Sequence, residues 1–139
     1  MSLTILDTDV LTLFQRGDPV VVRRAQAIPL PQLAVTIISV EEQLTGWYTR
    51  LRRARKREQL ASVYERLTAA IRFLAHLPIV TFSEPAIARY EELRTAHRRL
   101  GKNDLRIAAI VLEVGGVPAT RNVRDFKQIN RLQIEDWSR

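Results

Sequence analysis

Four acidic residues stand where their neighbours make chemistry plausible: Asp7, Glu42, Asp104 and Asp125. Asp7 ends the short apolar run 3–6, which reads as a buried strand. Glu42 lies three residues beyond Ser39 at the start of a helical pattern, Asp104 heads the strongly apolar stretch 105–114, and Asp125 follows the apolar segment 117–120. Carboxylate oxygens alone suit a hard ion such as Mg²⁺, with Mn²⁺ able to replace it, and such an ion shares its remaining positions with water and substrate phosphate. The matching chemistry is hydrolysis of a phosphodiester by an activated water, with no protein nucleophile. Each acid also has a structural reading. Glu42 closes a capping box with Ser39, Asp104 complements a helix dipole, and Asp125 pairs with Arg121 or Arg124. Asp7 is the hardest to explain away, because an acid directly after a buried strand has no structural duty of its own.

The acids meet only if the chain places them along one edge. Strands are expected at 3–6, 33–38, 79–82 and 117–120, with a last short one around 132–134. Between them run helical patterns: one capped by Thr8 or Asp9, one over 20–27, one from Ser39 to about Arg55, and a long one with Leu60, Val63, Tyr64, Leu67, Ile71 and Leu74 on a single face. Further helices start at Ser83 and at Asn103, the latter stopped by Gly115 and Gly116. Strands alternating with helices require crossovers and a mostly parallel sheet of four to five strands covered on both sides, a three-layer α/β/α fold. Parallel strands put their carboxyl ends, and the amino ends of the following helices, on one edge, which is where all four acids fall. Residues 1–139 form one domain, with no repeat and no composition shift to divide them.

Twenty-two Lys and Arg against fifteen Asp and Glu give a net charge of +7 and favour a polyanionic or acidic partner. The absence of cysteine excludes disulfides, thiolate metal sites and a cysteine nucleophile. No apolar run approaches the ~20 residues that span a bilayer, no signal peptide is expected at the amino end, and the cytoplasm is the expected compartment. Five scattered glycines make no phosphate cradle. A phosphoacceptor receiver is excluded as well: it needs an aspartate after the third strand, where Thr81-Phe82-Ser83-Glu84 stands.

The motifs around the acids resemble a known family. Leu-Asp-Thr-Asp-Val-Leu at 6–11 is similar to the opening of PIN domains, particularly VapC-type toxins of bacterial toxin–antitoxin pairs. Ile-Ser-Val-Glu-Glu-Gln-Leu-Thr-Gly at 38–46 resembles their second motif, with Gly46 placing the family glutamate on Glu42. Residues 101–109 resemble the third motif around Asp104, residues 120–126 the fourth around Asp125, and 132–137 their ending. The resemblance covers essentially the whole chain. It implies a Mg²⁺-dependent endoribonuclease acting on RNA, with transfer or ribosomal RNA the expected target, restrained by an antitoxin protein and assembled as a homodimer. Asp7, Glu42, Asp104 and Asp125 become the metal-binding and catalytic set, with Thr8, Thr120 and Asn122 as auxiliary polar groups.

Basic residues supply a surface for RNA. Arg98, Arg99 and Lys102 precede Asp104, and Arg121 lies beside Asn122, all placed to hold a backbone near the acids. Residues 50–57 carry six basic side chains in eight and read as a positive helix segment for RNA phosphates or an acidic antitoxin tail. Trp47 and Tyr48 suit an oligomer interface better than base stacking. The competing function is a non-catalytic module that binds nucleic acid or protein on the same fold through its basic surface alone; metal-dependent cleavage separates the two.

Overall fold

The computed structural model describes residues 2–139. Its sheet has five parallel strands in the order β3-β2-β1-β4-β5: β1 Thr4–Leu6, β2 Leu33–Thr36, β3 Ile79–Val80, β4 Val117–Thr120 and β5 Glu135–Asp136. β1 is central, with Ile5 paired to Ala34 on one side and Pro118 on the other. Every residue of β1 and β2 is buried, as expected of parallel strands covered on both faces. The chain leaves β1 toward β2 and β3 and later returns on its other side through β4 and β5. The β1–β4 boundary is therefore the switch point of the sheet, where open α/β folds have their crevice.

Alternating side chains divide the core. Leu6, Leu33 and Val35 face a cluster completed by Val10, Leu11 and Val21 of α1 (Thr8–Gln15) and α2 (Pro19–Gln26), with Trp137 buried among them. Ile5 and Ala34 face the opposite layer, where Ile107, Ile110 and Val111 of α6 (Lys102–Val114) cover them. The other side of α6 packs with Tyr90 of α5 (Glu84–Ala96) and with Phe126 of α7 (Val123–Phe126), so this helix is apolar on most sides for a reason. Helices α3 (Ile37–Arg53) and α4 (Arg57–Leu74) form a long hairpin between β2 and β3.

Several expected boundaries move. β2 stops at Thr36, and the Thr36 hydroxyl accepts the Ser39 backbone N–H at 3.2 Å, so α3 starts before Ser39 and the Ser39–Glu42 capping box does not form. Asp7, rather than Thr8 or Asp9, caps α1. Gly101 takes the capping position of α6, while the Asn103 side chain accepts a bond from Arg106. The basic segment 50–57 is not one helix, because Ala54 is extended between α3 and α4. The third strand is shorter than expected, the last falls at Glu135–Asp136 rather than 132–134, and the short α7 was not foreseen.

Two glycines turn the chain from α6 into β4. Gly115 adopts the left-handed conformation (φ 66°), and a Cβ on Gly116 would stand 3.1 Å from the Leu3 carbonyl oxygen and 3.0 Å from Ile5 Cδ1. The Leu3 carbonyl accepts the Val117 N–H at 2.9 Å and cannot yield without disturbing the pairing of β1 with β4. Gly116→Ala is expected to destabilise the protein by roughly 1–3 kcal/mol, seen as a lower urea midpoint with an unchanged m-value; an unaltered midpoint would show that the β1 edge yields freely.

Candidate functional site

Asp7 leaves β1 in an extended conformation and is 4% exposed. Its Oδ1 accepts the Val10 backbone N–H at 2.9 Å, which opens α1. Its Oδ2 accepts the Thr120 hydroxyl at 2.6 Å from the end of β4, across the switch point. The Thr120 oxygen in turn accepts the Asn122 backbone N–H at 2.8 Å, which leaves the hydroxyl proton directed at Asp7. Burial pushes the Asp7 carboxyl up to about 6, against the two hydrogen bonds; the charges of Asp9 and Asp104 push the same way.

Glu42 lies in the second turn of α3, half-buried, and accepts the Thr8 hydroxyl at 2.6 Å. Ser39, wholly buried one turn earlier, lies 2.8 Å from the same Thr8 oxygen. A carboxylate only accepts, so the Thr8 proton goes to Glu42 and Ser39 must donate to Thr8. Ser39 is thus the base of a relay Ser39–Thr8–Glu42 rather than a helix cap. The sequence hid this role, because a serine at a strand-to-helix junction looks like a cap, and only the packing of α1 against α3 puts Thr8 beside it.

Asp104 sits in the first turn of α6, and its carboxyl is raised by burial first and then by the charges of Glu42 and Asp125. Asp125, in α7, accepts the Asn122 side-chain amide at 3.1 Å, so Asn122 supports Asp125 rather than competing with it. The mutual repulsion links Asp7 to Asp104 and Asp104 to both Glu42 and Asp125. All four expected acids therefore come to one edge, and all three auxiliary groups, Thr8, Thr120 and Asn122, bond to them. Asp125 makes no ion pair with Arg121 or Arg124; among the described residues the ion pair found is Arg89–Glu113. Arg98, Arg99, Lys102 and Arg121 are all exposed, so their charges face solvent.

The donor set is made only of oxygens, and it gathers like charges that repel one another. Both features fit a hard divalent cation. Among the described residues no three carboxylates stand close enough to form a ready-made cage. Mg²⁺ does not require one, because it keeps several waters and accepts one or two direct carboxylates.

The PIN domain family model matches residues 4–132. This chain belongs to the PIN-domain family. Ribonuclease VapC1 of Haemophilus influenzae strain R2866 is 26% identical over 142 residues, covering 97% of this chain and 98% of that protein. Among solved structures, VapBC2 from Rickettsia felis bound to a DNA fragment from their promoter shares 25% identity over 98% of this PIN domain and 99% of that chain, with a TM-score of 0.73. DNA-bound VapBC from Salmonella typhimurium superposes with a TM-score of 0.79 at 22% identity, covering 99% of each chain, and speaks for the fold alone. The expected three-layer α/β/α architecture is thus the one these PIN domains share.

The raised Asp7 carboxyl sets a pH dependence with a definite sign. The folded PIN domain binds this proton more tightly than the unfolded chain, whose ordinary value is 3.8, so ionised Asp7 opposes folding above pH 6 and the opposition fades as pH falls toward 4. Between pH 7.5 and pH 5, metal-free protein is expected to gain about 1 kcal/mol relative to Asp7→Asn. Urea unfolding of both proteins at the two pH values measures it, and parallel changes in the pair would mean that Asp7 titrates normally.

Proposed function

We propose that this PIN domain is a metal-dependent endoribonuclease that hydrolyses RNA phosphodiester bonds as the toxin of a toxin–antitoxin pair. The observation that carries the proposal is the meeting of Asp7, Glu42, Asp104 and Asp125 at the switch point of a parallel sheet, with Asp7 raised by burial and the charges of Asp9 and Asp104, and Asp104 raised by burial and the charges of Glu42 and Asp125. These four would hold Mg²⁺, or Mn²⁺ in its place. When bound, the ion supplies a water nucleophile active at neutral pH and neutralises charge growing on the phosphate. The protein's own part is positioning: Thr120 fixes Asp7, Ser39 and Thr8 fix Glu42, and Asn122 fixes Asp125. Arg98, Arg99, Lys102 and Arg121 would hold the RNA backbone beside them.

The toxin role draws its support from the relatives, one named a ribonuclease and others solved as VapBC or toxin–antitoxin complexes. By the same reading the partners are an antitoxin protein and a second copy of this chain, the targets are transfer or ribosomal RNA, and the compartment is the cytoplasm. No helix among the described residues is long and apolar enough to cross a membrane. The exposed basic side chains of Arg98, Arg99, Lys102 and Arg121 would serve a non-catalytic binding module as well as a nuclease.

Cleavage decides between them. Purified protein is expected to cut RNA with Mg²⁺ or Mn²⁺ and to stop with chelator. Thr120→Val, which removes the hydroxyl bonded to Asp7 and with it the acceptor of the Asn122 backbone N–H, is expected to slow cleavage ~10–100-fold, and Asp7→Asn and Asp104→Asn are expected to slow it more. RNA binding that ignores metal and leads to no cleavage would establish the binding module.

A further inference from the structure

A cleft of about 610 Å³ opens from the acidic edge between α1, α3 and α4. One end is lined by Thr8 and Glu42, and the other by Trp47, Arg50 and Arg66, with Arg16 on its side. The middle is uncharged: Gln15 and Gln43 exchange amide hydrogen bonds at 3.0 and 2.7 Å. Glu42 and Arg50 lie two turns apart on the same helix, a separation on the order of 12 Å. The cleft thus runs from the Glu42 carboxylate to a pair of guanidinium ions.

The cationic end is built around one indole. The Arg50 guanidinium lies 4.7 Å and the Arg66 guanidinium 5.4 Å from the Trp47 ring centroid, although α3 and α4 contribute them separately. Trp47 is half-buried, while both arginines are exposed and, among the described residues, neither has a carboxylate within ion-pair distance. Glu58 lines a shallower depression behind them without pairing to either. Drawing two like charges to one ring is unfavourable until an anion joins them. A guanidinium stacked on an aromatic face also keeps its N–H edge free for bidentate contact with phosphate. Trp47 thus supports a cationic pair drawn from two helices.

We propose that Arg50 and Arg66, held on Trp47, form a phosphate clamp for single-stranded RNA, engaging the backbone a few nucleotides from the bond that reaches the acids. The clamp rests on the nuclease reading for its orientation, but its binding can be measured apart from cleavage. The probe is a 5′-labelled single-stranded RNA of mixed sequence, titrated by fluorescence anisotropy in chelator across a range of salt concentrations. Each phosphate contact contributes about 0.7 to the slope of log affinity against log salt for single strands, so Arg50→Ala/Arg66→Ala is expected to lower that slope by about 1.4. Arg50→Lys/Arg66→Lys, which keeps the charges but loses the fork, should restore the slope while binding more weakly than the native protein. Arg23→Ala/Lys127→Ala removes two exposed charges that do not line the cleft and should leave most of the slope in place.

Equal slopes for native protein and the Arg50→Ala/Arg66→Ala variant would overturn the clamp. So would intact RNA binding by that variant together with lost binding of a labelled oligoglutamate peptide, which would make the cleft a site for acidic peptide. If the slope falls as expected but native protein cuts no RNA with Mg²⁺, the clamp stands and the nuclease reading fails.

Discussion

The hydrogen bond from Thr120 to Asp7 joins residues 113 positions apart and spans the place where the sheet reverses its direction of growth. Much else is arranged around it. The bond holds one oxygen of a carboxylate that burial makes reluctant to ionise, while the Val10 N–H holds the other and starts α1. The same Thr120 oxygen anchors Asn122, which in turn holds Asp125. One buried hydroxyl thus orients groups from both halves of the chain. It can do so because β1 and β4 are hydrogen-bonded neighbours that end side by side.

Crowding acids is costly, and the fold tolerates the cost by spending rigid elements on it. Asp7 follows a wholly buried strand, and Asp104 begins a helix whose next three turns carry six buried residues. Neither can swing away to relieve repulsion. Glu42 has more freedom on the surface of α3, and there the Ser39–Thr8 relay replaces packing as the restraint. A bound cation would relieve the repulsion that the backbone cannot.

Charge is distributed with the opposite sign around this edge. The net excess of positive residues does not neutralise the acids by pairing, as the single ion pair among the described residues lies elsewhere, between Arg89 and Glu113. Unpaired arginines and lysines remain available to a polyanion, and the cleft along α3 leads from the acids to the two that share Trp47. On the proposed reading, carboxylates for an ion and guanidinium groups for a backbone are complementary halves of one surface.

The alternation of apolar runs and helical patterns was enough to reach a three-layer parallel fold, because period and burial are local properties of the chain. Strand ends followed by acids were equally legible, and Asp7, Glu42, Asp104 and Asp125 could be named before any contact was known. Element boundaries were less so: Thr36 and Asp7 took the caps expected of Ser39 and of Thr8 or Asp9, since Ser39 and Thr8 bond to each other across α1 and α3 while Asp7 has one oxygen for the cap and another for Thr120. The direction of the Thr8 proton, the partnership of Asn122 with Asp125, and the gathering of Arg50 and Arg66 on Trp47 were decided only by the tertiary structure. Each joins groups from separate elements or hangs on such a contact, and periodicity carries no record of which side chains meet once helices pack.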